Sequence, residues 1–459
     1  MNAIESLFFG RERIMRDIVQ GVLAPQPSSF SLVGSKLCGK SKIIRYLASE
    51  LGPFHSHQMT DWRPSFFEDA GRLITILIDC DYQDAQENLL LHVYTVLVQQ
   101  LQEKERIELT WREIEAQPGM GRRLWTVARE LKEMDYRLIL LFDNFDSVFE
   151  RQLISMDAVD ELRPLTMELG MVVATEQPLH DLDRDLAASP LFNVMTQVFI
   201  GLIEPEAAIN WLDVYAETYP MISKMKEPLL AITGAHPFLL RRIDDILLEI
   251  EQMFPQNNVE NEEGLADEIL PFIRLRLAEH GRLLFATLWR KVQAPPPPVK
   301  GDIVLKLLNR LIDSPLAISQ IGREHFSTAN WLINQAILRV SADGYQIFSP
   351  LFSEFIRSKV GVAENPSTPF VTLMPHAGEA DIYKRLTKIE SALLRYFEAH
   401  SHKVVSAEQL LTDVWKRPDA STRRVQEAIR RLRLQLEEDD APYGVIENDR
   451  GRGYRFVPA

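Results

Sequence analysis

Eight residues, GSKLCGKS from Gly34 to Ser41, constrain this chain more than any other segment. The apolar run FSLV leads into them and the helix-patterned run KIIRYLASEL leads out. The spacing is G-x-x-x-x-G-K-[ST], and strand, loop and helix in that order are the setting in which the spacing makes a phosphate cradle. Gly34 and Gly39 let the backbone turn its N–H groups inward, and the helix start adds a positive end where phosphate charge sits. Lys40 is placed to reach the β- and γ-phosphates, and the Ser41 hydroxyl to ligate magnesium. Cys38 and Lys42 flank them and complete the candidate loop contacts. The cofactors so implied are ATP or ADP with Mg2+.

A hydroxyl alone holds magnesium badly, so a carboxylate is expected at the end of a neighbouring buried strand. LILLFDNFD supplies it, with Asp143 following five apolar residues, Leu138 to Phe142. Ser41 and Asp143 are the candidate metal ligands. The next residue is Asn144, whose amide can orient water but cannot accept its proton. Asp146 is the alternative carboxylate; otherwise hydrolysis is slow.

From 30 to 200, short apolar runs (FSLVG, LITILIDC, RLILLFD, MVVAT, VMTQVFI) alternate with amphipathic helices, the pattern of a mainly parallel sheet covered on both faces. From 205 to 360 the pattern turns helical and closes on ILRVSADGYQIFSPLFSEFI. There a strand, an Asp343–Gly344 turn, a second strand and a helix predict a winged-helix ending. GVAENPSTPF (361–370) has no periodic apolar face and reads as a linker. No repeat of 20–50 residues is visible. Two cysteines, Cys38 and Cys80, without paired histidines argue against a disulfide framework or a zinc site. No apolar run reaches the ~20 residues of a membrane span, and the N-terminus does not resemble a signal peptide, so a cytoplasmic protein without a membrane partner is expected.

The net charge of −14 argues at first against a nucleic-acid partner. The average hides a contrast. Residues 381–459 carry 15 Lys+Arg against 13 Asp+Glu, a local net of +2, which leaves −16 on the rest. Within the tail, Val425, Ile429, Leu432 and Leu436 give one helix a buried stripe. Arg423, Arg424, Glu427, Arg430 and Arg431 lie largely off that stripe, so the helix is suited to lie between a core and a polyanion. YGVIENDRGRGYRFV then predicts a hairpin whose Arg450 and Arg452 can meet a DNA backbone or minor groove. Tyr454 and Phe456 alternate with arginine and read as hairpin core.

Taken together, the motifs of residues 5–360 resemble the STAND-type signal-transduction ATPases, relatives of the AAA+ initiators of the origin-recognition kind. FFGRERIMRDI (8–18) resembles their entry box, which implies Phe9, Gly10 and Arg11 near an adenine base. LLFDNFD resembles their Walker B segment, with Asn144 where active members usually carry an acid. Thr175, ending VVAT, stands at the sensor-one position, followed by Glu176 where many members have arginine. GAHPFLL (234–240) resembles the lid segment that implies Pro237 against the adenine, while His236 reads as a structural histidine.

The tail resembles the OmpR/PhoB-type winged-helix DNA-binding domain along its whole length, through LT..E..LL, V.S.EQLL..VW, I.RLR..LE and GRGYRF. That resemblance implies Arg423, Arg424, Glu427 and Arg431 in a major groove and Arg450 on the wing-side backbone. The expected fold is thus an α/β P-loop NTPase with a parallel sheet (1–203), a helical lid (204–262), an inner winged helix (263–362), a linker (363–380) and a separate C-terminal winged helix-turn-helix domain (381–459). Its expected partner is double-stranded DNA, with a homo-oligomer or a signalling protein beside it. A nucleotide-regulated transcription regulator, an initiator- or transposition-type ATPase assembling on DNA, and a defence or signalling switch are the functional classes that fit.

Overall fold

The computed structural model describes residues 8–67, 69–82, 88–102, 107–150, 156–182, 194–253, 262–322, 325–360, 386, 388–400, 403–414, 422–436, 444–449 and 453–458. The chain divides into two compact units, Met1–Asn365 and Pro366–Ala459.

In the first unit, helix α1 (Glu12–Val22) leads into strand β1 (Ser29–Val33), and the glycine-containing loop feeds α2 (Lys40–Ala48). Strand β2 (Leu73–Asp79), helices α3 (Leu89–Gln102) and α4 (Met120–Glu133), strand β3 (Arg137–Asp143), helix α5 (Met156–Leu165), strand β4 (Gly170–Thr175) and strand β5 (Met195–Phe199) follow. The five strands form one parallel sheet in the order β2-β3-β4-β1-β5. The near-continuous apolar strands are two interleaved period-2 sets. Ile74, Ile76, Leu138, Leu140, Met171 and Val173 join the core on one face, under α3 and α4. Phe30, Leu32, Ile139, Leu141, Val172 and Ala174 join the other, under α1 and α2. Parallel strands end at a common edge, so the loops after β1, β3 and β4 converge there.

Helices α6 (Pro205–Thr218), α7 (Ile222–Thr233), α8 (Pro237–Met253), α9 (Glu262–His280), α10 (Arg282–Gln293), α11 (Gly301–Leu311) and α12 (Phe326–Asn334) come next. The antiparallel hairpin of β6 (Leu338–Ser341) and β7 (Gly344–Ile347) and helix α13 (Pro350–Val360) complete the unit. All of this part shares one apolar core, from Ile203 to Ile356. Its seam is tight where the end of α7 meets the end of β7. Gly234 has φ 60°, and a Cβ there would lie 1.8 Å from the Phe348 carbonyl oxygen. Beside it the Ser349 hydroxyl donates to the Ile232 carbonyl at 2.6 Å.

The second unit contains α14 (Lys388–Ala399), β8 (Val404–Val405), α15 (Ala407–Asp413), α16 (Arg423–Leu436), β9 (Gly444–Asp449) and β10 (Gly453–Pro458). Its sheet runs β8-β10-β9, antiparallel throughout. Ser406 starts α15 with a capping box, its hydroxyl accepting from the Gln409 N–H at 3.2 Å while Gln409 Oε1 accepts from the Ser406 N–H at 3.0 Å. Val425, Ile429, Leu432 and Leu436 pack with Leu393, Phe397, Leu410 and Phe456 into one core. That core explains why α16 keeps a single apolar stripe.

Gly234→Ala is expected to destabilise the first unit by roughly 2–4 kcal/mol, because it adds both left-handed strain and a backbone clash. Urea denaturation followed by far-UV circular dichroism measures it; an unchanged midpoint would contradict this packing.

Candidate functional site: a phosphate loop and a basic helix

At the common edge of the sheet, the Gly34 N–H donates to the Thr175 carbonyl at 3.1 Å, tying the loop after β1 to the end of β4. A Cβ on Gly34 would lie 2.5 Å from the Ile200 carbonyl oxygen and 2.8 Å from Cys38 Sγ, so only glycine fits between them. Gly39 has φ 96° and opens α2 from the left-handed region. Lys40 Nζ donates to the Gly34 carbonyl at 2.7 Å and the Ser35 carbonyl at 3.0 Å, folding back across the loop. Lys42 lies further along α2 and is half-buried.

The Ser41 hydroxyl donates to Asp143 Oδ1 at 2.9 Å, joining the start of α2 to the end of β3. The Asn144 N–H donates to the same oxygen at 3.1 Å. Asp143 Oδ2 is buried with no hydrogen-bond donor, its nearest cation being the Arg45 guanidinium at 3.6 Å. Burial raises the Asp143 proton affinity, against the lowering effect of the Ser41 hydrogen bond, and neighbouring Asp79 raises it further. A cation at this oxygen would relieve both penalties. Among the described residues no group of three or more His, Cys, Asp and Glu side chains is assembled for a metal.

Asn144 has φ 54°, and its side-chain amide donates to Asp79 Oδ1 at 3.1 Å. Asp79 ends β2 as Asp143 ends β3, and the same logic of an acid at a buried strand end could have found it. Asp146 is buried, and its Oδ2 accepts from the Glu176 N–H at 3.3 Å. Burial, then Glu176, pushes its pKa up to about 6. The Thr175 hydroxyl is buried without a hydrogen-bond partner.

The entry box lies against this loop. The Arg11 N–H donates to Glu204 Oε2 at 2.9 Å, and the buried guanidinium donates to the Cys38 carbonyl at 2.6 Å and the Gly201 carbonyl at 2.7 Å. Gly10 has φ 72°, and a Cβ there would lie 2.6 Å from Glu204 Oε2. Phe9 stacks on Trp211 with ring centroids 5.3 Å apart. Pro237, at the start of α8, faces the loop, since a Cβ on Gly39 would lie 3.9 Å from its Cγ. His236 is fully buried, its Nδ1 accepting from the Phe238 N–H at 3.2 Å. Burial and the Arg11 charge push its pKa down to about 3, so it is neutral. Phe9, Gly10, Arg11, Gly34, Cys38, Gly39, Lys40, Ser41, Asp143 and Pro237, scattered over more than two hundred positions, are thus brought into one neighbourhood. Sequence reasoning missed Lys291 and Gln335, which reach the loop from α10 and from the residue after α12. Neither belongs to a motif, and only the packing of the helical part brings them there.

In the second unit, Arg430 and Arg431 are exposed on α16, while Arg433 Nε donates to the Ile446 carbonyl at 2.8 Å and ties the helix to β9. The backbones of Arg423, Arg424 and Glu427 lie in α16, with side chains outside the described residues. Arg450 and Arg452 also lie outside the described residues. Phe456 is buried and Tyr454 packs against the same core, as the alternation in β10 predicts.

Residues 383–456 match the family described as "Transcriptional regulatory protein, C terminal". The phosphate regulon transcriptional regulatory protein PhoB of Shigella flexneri is 32% identical over 141 residues, 30% of this chain and 57% of that protein. The PhoB protein of Escherichia coli K12 is 31% identical over 141 residues, with the same shares. The chain therefore spans little more than half the length of these relatives. Among solved structures, a Walker-type ATPase of Pyrococcus abyssi is similar at 15% identity and TM-score 0.40, over 76% of this chain and 96% of that one. The Aeropyrum pernix ORC2 protein in its ADPNP–ADP complexes is similar at 9% identity and TM-score 0.41, over 78% and 98%. Those likenesses are loose, and the architecture of the first unit rests on its own strand order and loop geometry. The chain joins an α/β phosphate-loop fold to a winged-helix domain of the transcriptional-regulator C-terminal kind. Among the described residues no helix is long and apolar enough to cross a membrane.

Asp146 gives the site a pH signature. Its pKa is about 6 folded against an ordinary 3.8, so the native state holds the extra proton between those values. Its contribution to stability is greatest below about pH 4 and falls as the pH rises to about 6. Relative to the parent, Asp146→Asn is expected to gain on the order of 2 kcal/mol between pH 4 and pH 7 in denaturant titrations. A pH-independent difference would contradict the assignment.

Proposed function

We propose that this protein is an ATP-controlled DNA-binding regulator of transcription. The observation that carries the nucleotide half is the Ser41–Asp143 hydrogen bond at the mouth of the phosphate loop, with Asp143 Oδ2 left without a donor. Supporting the DNA half are the family match over 383–456 and the exposed arginines of α16. In this reading Gly34, Cys38, Gly39, Lys40, Ser41 and Lys42 hold the phosphates, and Phe9, Gly10, Arg11 and Pro237 border the base. Residues 204–262 form a lid, 263–362 an inner winged helix, 363–380 a linker and 381–459 the DNA-binding domain.

Ser41 and Asp143 are the residues that would hold magnesium, which would neutralise phosphate charge when bound with the nucleotide. Lys40 would leave its two carbonyls to pair with phosphate oxygens. Hydrolysis is slow or conditional, because Asn144 cannot accept a proton and its amide is committed to Asp79. Asp146 is the remaining basic group, and Thr175 offers its buried hydroxyl toward the terminal phosphate. A nucleotide shifts the lid and inner winged helix only as far as it binds their arrangements differently. Self-association in the ATP state would present several DNA-binding domains at once, and linked weak modules gain avidity through effective concentration.

Fluorescence anisotropy on a random-site duplex library, with ATP, ADP or no nucleotide, tests this reading with the parent and Lys40→Ala. The expected result is a specific site whose occupancy requires ATP and Lys40. Binding that is absent, or indifferent to sequence and nucleotide, overturns it. Arg430→Ala combined with Arg431→Ala is expected to weaken duplex binding and to make the slope of log K against log salt shallower by about 1 for each phosphate no longer neutralised. An unchanged slope would place the DNA-binding surface elsewhere.

A further inference from the structure

The phosphate loop is approached from the helical part by a lysine that no sequence motif marks. Lys291 is on α10, half-buried, and its Nζ donates to Gln335 Oε1 at 3.0 Å and, more weakly, to the Glu176 carbonyl at 3.5 Å. Gln335 is buried, and its Oε1 also accepts from the Ser35 hydroxyl at 2.8 Å, while its main-chain carbonyl accepts from the same hydroxyl at 3.1 Å. Ser35 is a residue of the phosphate loop itself. One amide oxygen therefore joins the loop, the end of α12 and the ammonium of α10.

Both oxygens that Lys291 holds are neutral. Glu176, an acid whose charge acts on Lys291, has its carboxylate 3.1 Å from Lys36. Burial lowers the Lys291 proton affinity most; the Glu176 charge opposes that, and the nearby Lys40 charge lowers it further, so the net shift is downward. A half-buried ammonium near a second cation, whose own hydrogen bonds go only to neutral oxygens, gains by pairing with an incoming anion. Lys40 likewise donates only to neutral oxygens, the two loop carbonyls. Two lysines from distant parts of the chain thus bracket the loop that the Ser41–Asp143 pair marks as a phosphate site.

We infer that Lys291 is a phosphate ligand: it pairs with the outermost phosphate of a nucleoside triphosphate and thereby ties α10 to the phosphate loop. This rests on the nucleotide-binding reading above. In moving toward the phosphate, Nζ exchanges the neutral Gln335 amide for a charged acceptor and leaves Gln335 to Ser35 alone. The terminal phosphate is then sensed by the helical part directly, through a charge that a diphosphate does not reach.

Titration of the full-length chain with fluorescent ATP and ADP analogues and Mg2+ tests the inference in the parent, Lys291→Gln and Lys291→Arg. The glutamine keeps a neutral donor for Gln335 and removes the charge; the arginine keeps the charge. Lys291→Gln is expected to lose about tenfold or more in ATP affinity, the scale of a charged hydrogen bond, and less than about threefold in ADP affinity. Lys291→Arg is expected to recover most of the loss. Equal loss for ATP and ADP, or affinities within about twofold of the parent for both, overturns the inference, since a lysine that only packs α10 does not discriminate between them. If Lys291→Gln does not fold, as read by circular dichroism, Lys291→Arg decides: it must keep the parental preference between ATP and ADP, and losing that preference while folded refutes the assignment. A parent that binds neither nucleotide refutes the phosphate-site reading itself, an outcome distinct from a parent that binds and a variant that does not change.

Discussion

The guanidinium of Arg11 is the point on which the phosphate-loop side of the first unit is built. It is buried, a position that lowers its proton affinity and makes its charge expensive. What offsets that cost is geometry. The donors meet the carbonyl of Cys38 in the loop and that of Gly201 after β5, and the backbone N–H of Arg11 meets the Glu204 carboxylate before α6. The chain entry, the phosphate loop and the start of the helical part are therefore fastened together at one residue. A guanidinium spreads its charge over a planar group and is more weakly hydrated than an ammonium, which suits it to so buried a position. The left-handed backbone at Gly10 and Arg11 follows from the same constraint, because the turn must bring both the N–H and the side chain of Arg11 inward.

Around that anchor the loop is held in a closed form by its own side chains. Lys40 folds onto loop carbonyls, Ser41 onto Asp143, and Ser35 onto Gln335. Each of these bonds uses a group whose charge or hydroxyl is suited to a phosphate or its metal, and each uses an exchangeable, mostly neutral partner. Asp143 and Asp146 are buried near the ends of the strands and Asp79 is half-buried, and burial is the largest cause of the raised proton affinity of Asp143 and Asp146.

The helical part contributes more than a cover. Its single core runs from Ile203 to Ile356, so a force applied at α10 or after α12 is transmitted through packed side chains to the β6–β7 hairpin. The tight approach of Gly234 to Phe348 makes the seam between α7 and that hairpin a close-packed one. The second unit is organised on a separate core, with α16 clamped to β9 by Arg433 and presenting Arg430 and Arg431 to solvent.

Much of this was legible in the residues. The strand, loop and helix around GSKLCGKS, the acid ending β3, the Asp343–Gly344 hairpin and the apolar stripe of α16 are local patterns, set by periodicity and turn chemistry within a few residues. Such patterns are short-range physics, and a chain carries them wherever it folds. What tertiary structure alone decided is of another kind: the order β2-β3-β4-β1-β5, the capture of Arg11 by carbonyls 27 and 190 positions away, the Asn144–Asp79 contact and the arrival of Lys291 and Gln335 at the loop. These depend on which buried faces pack together, and burial sums over the whole core without leaving a mark on any single residue.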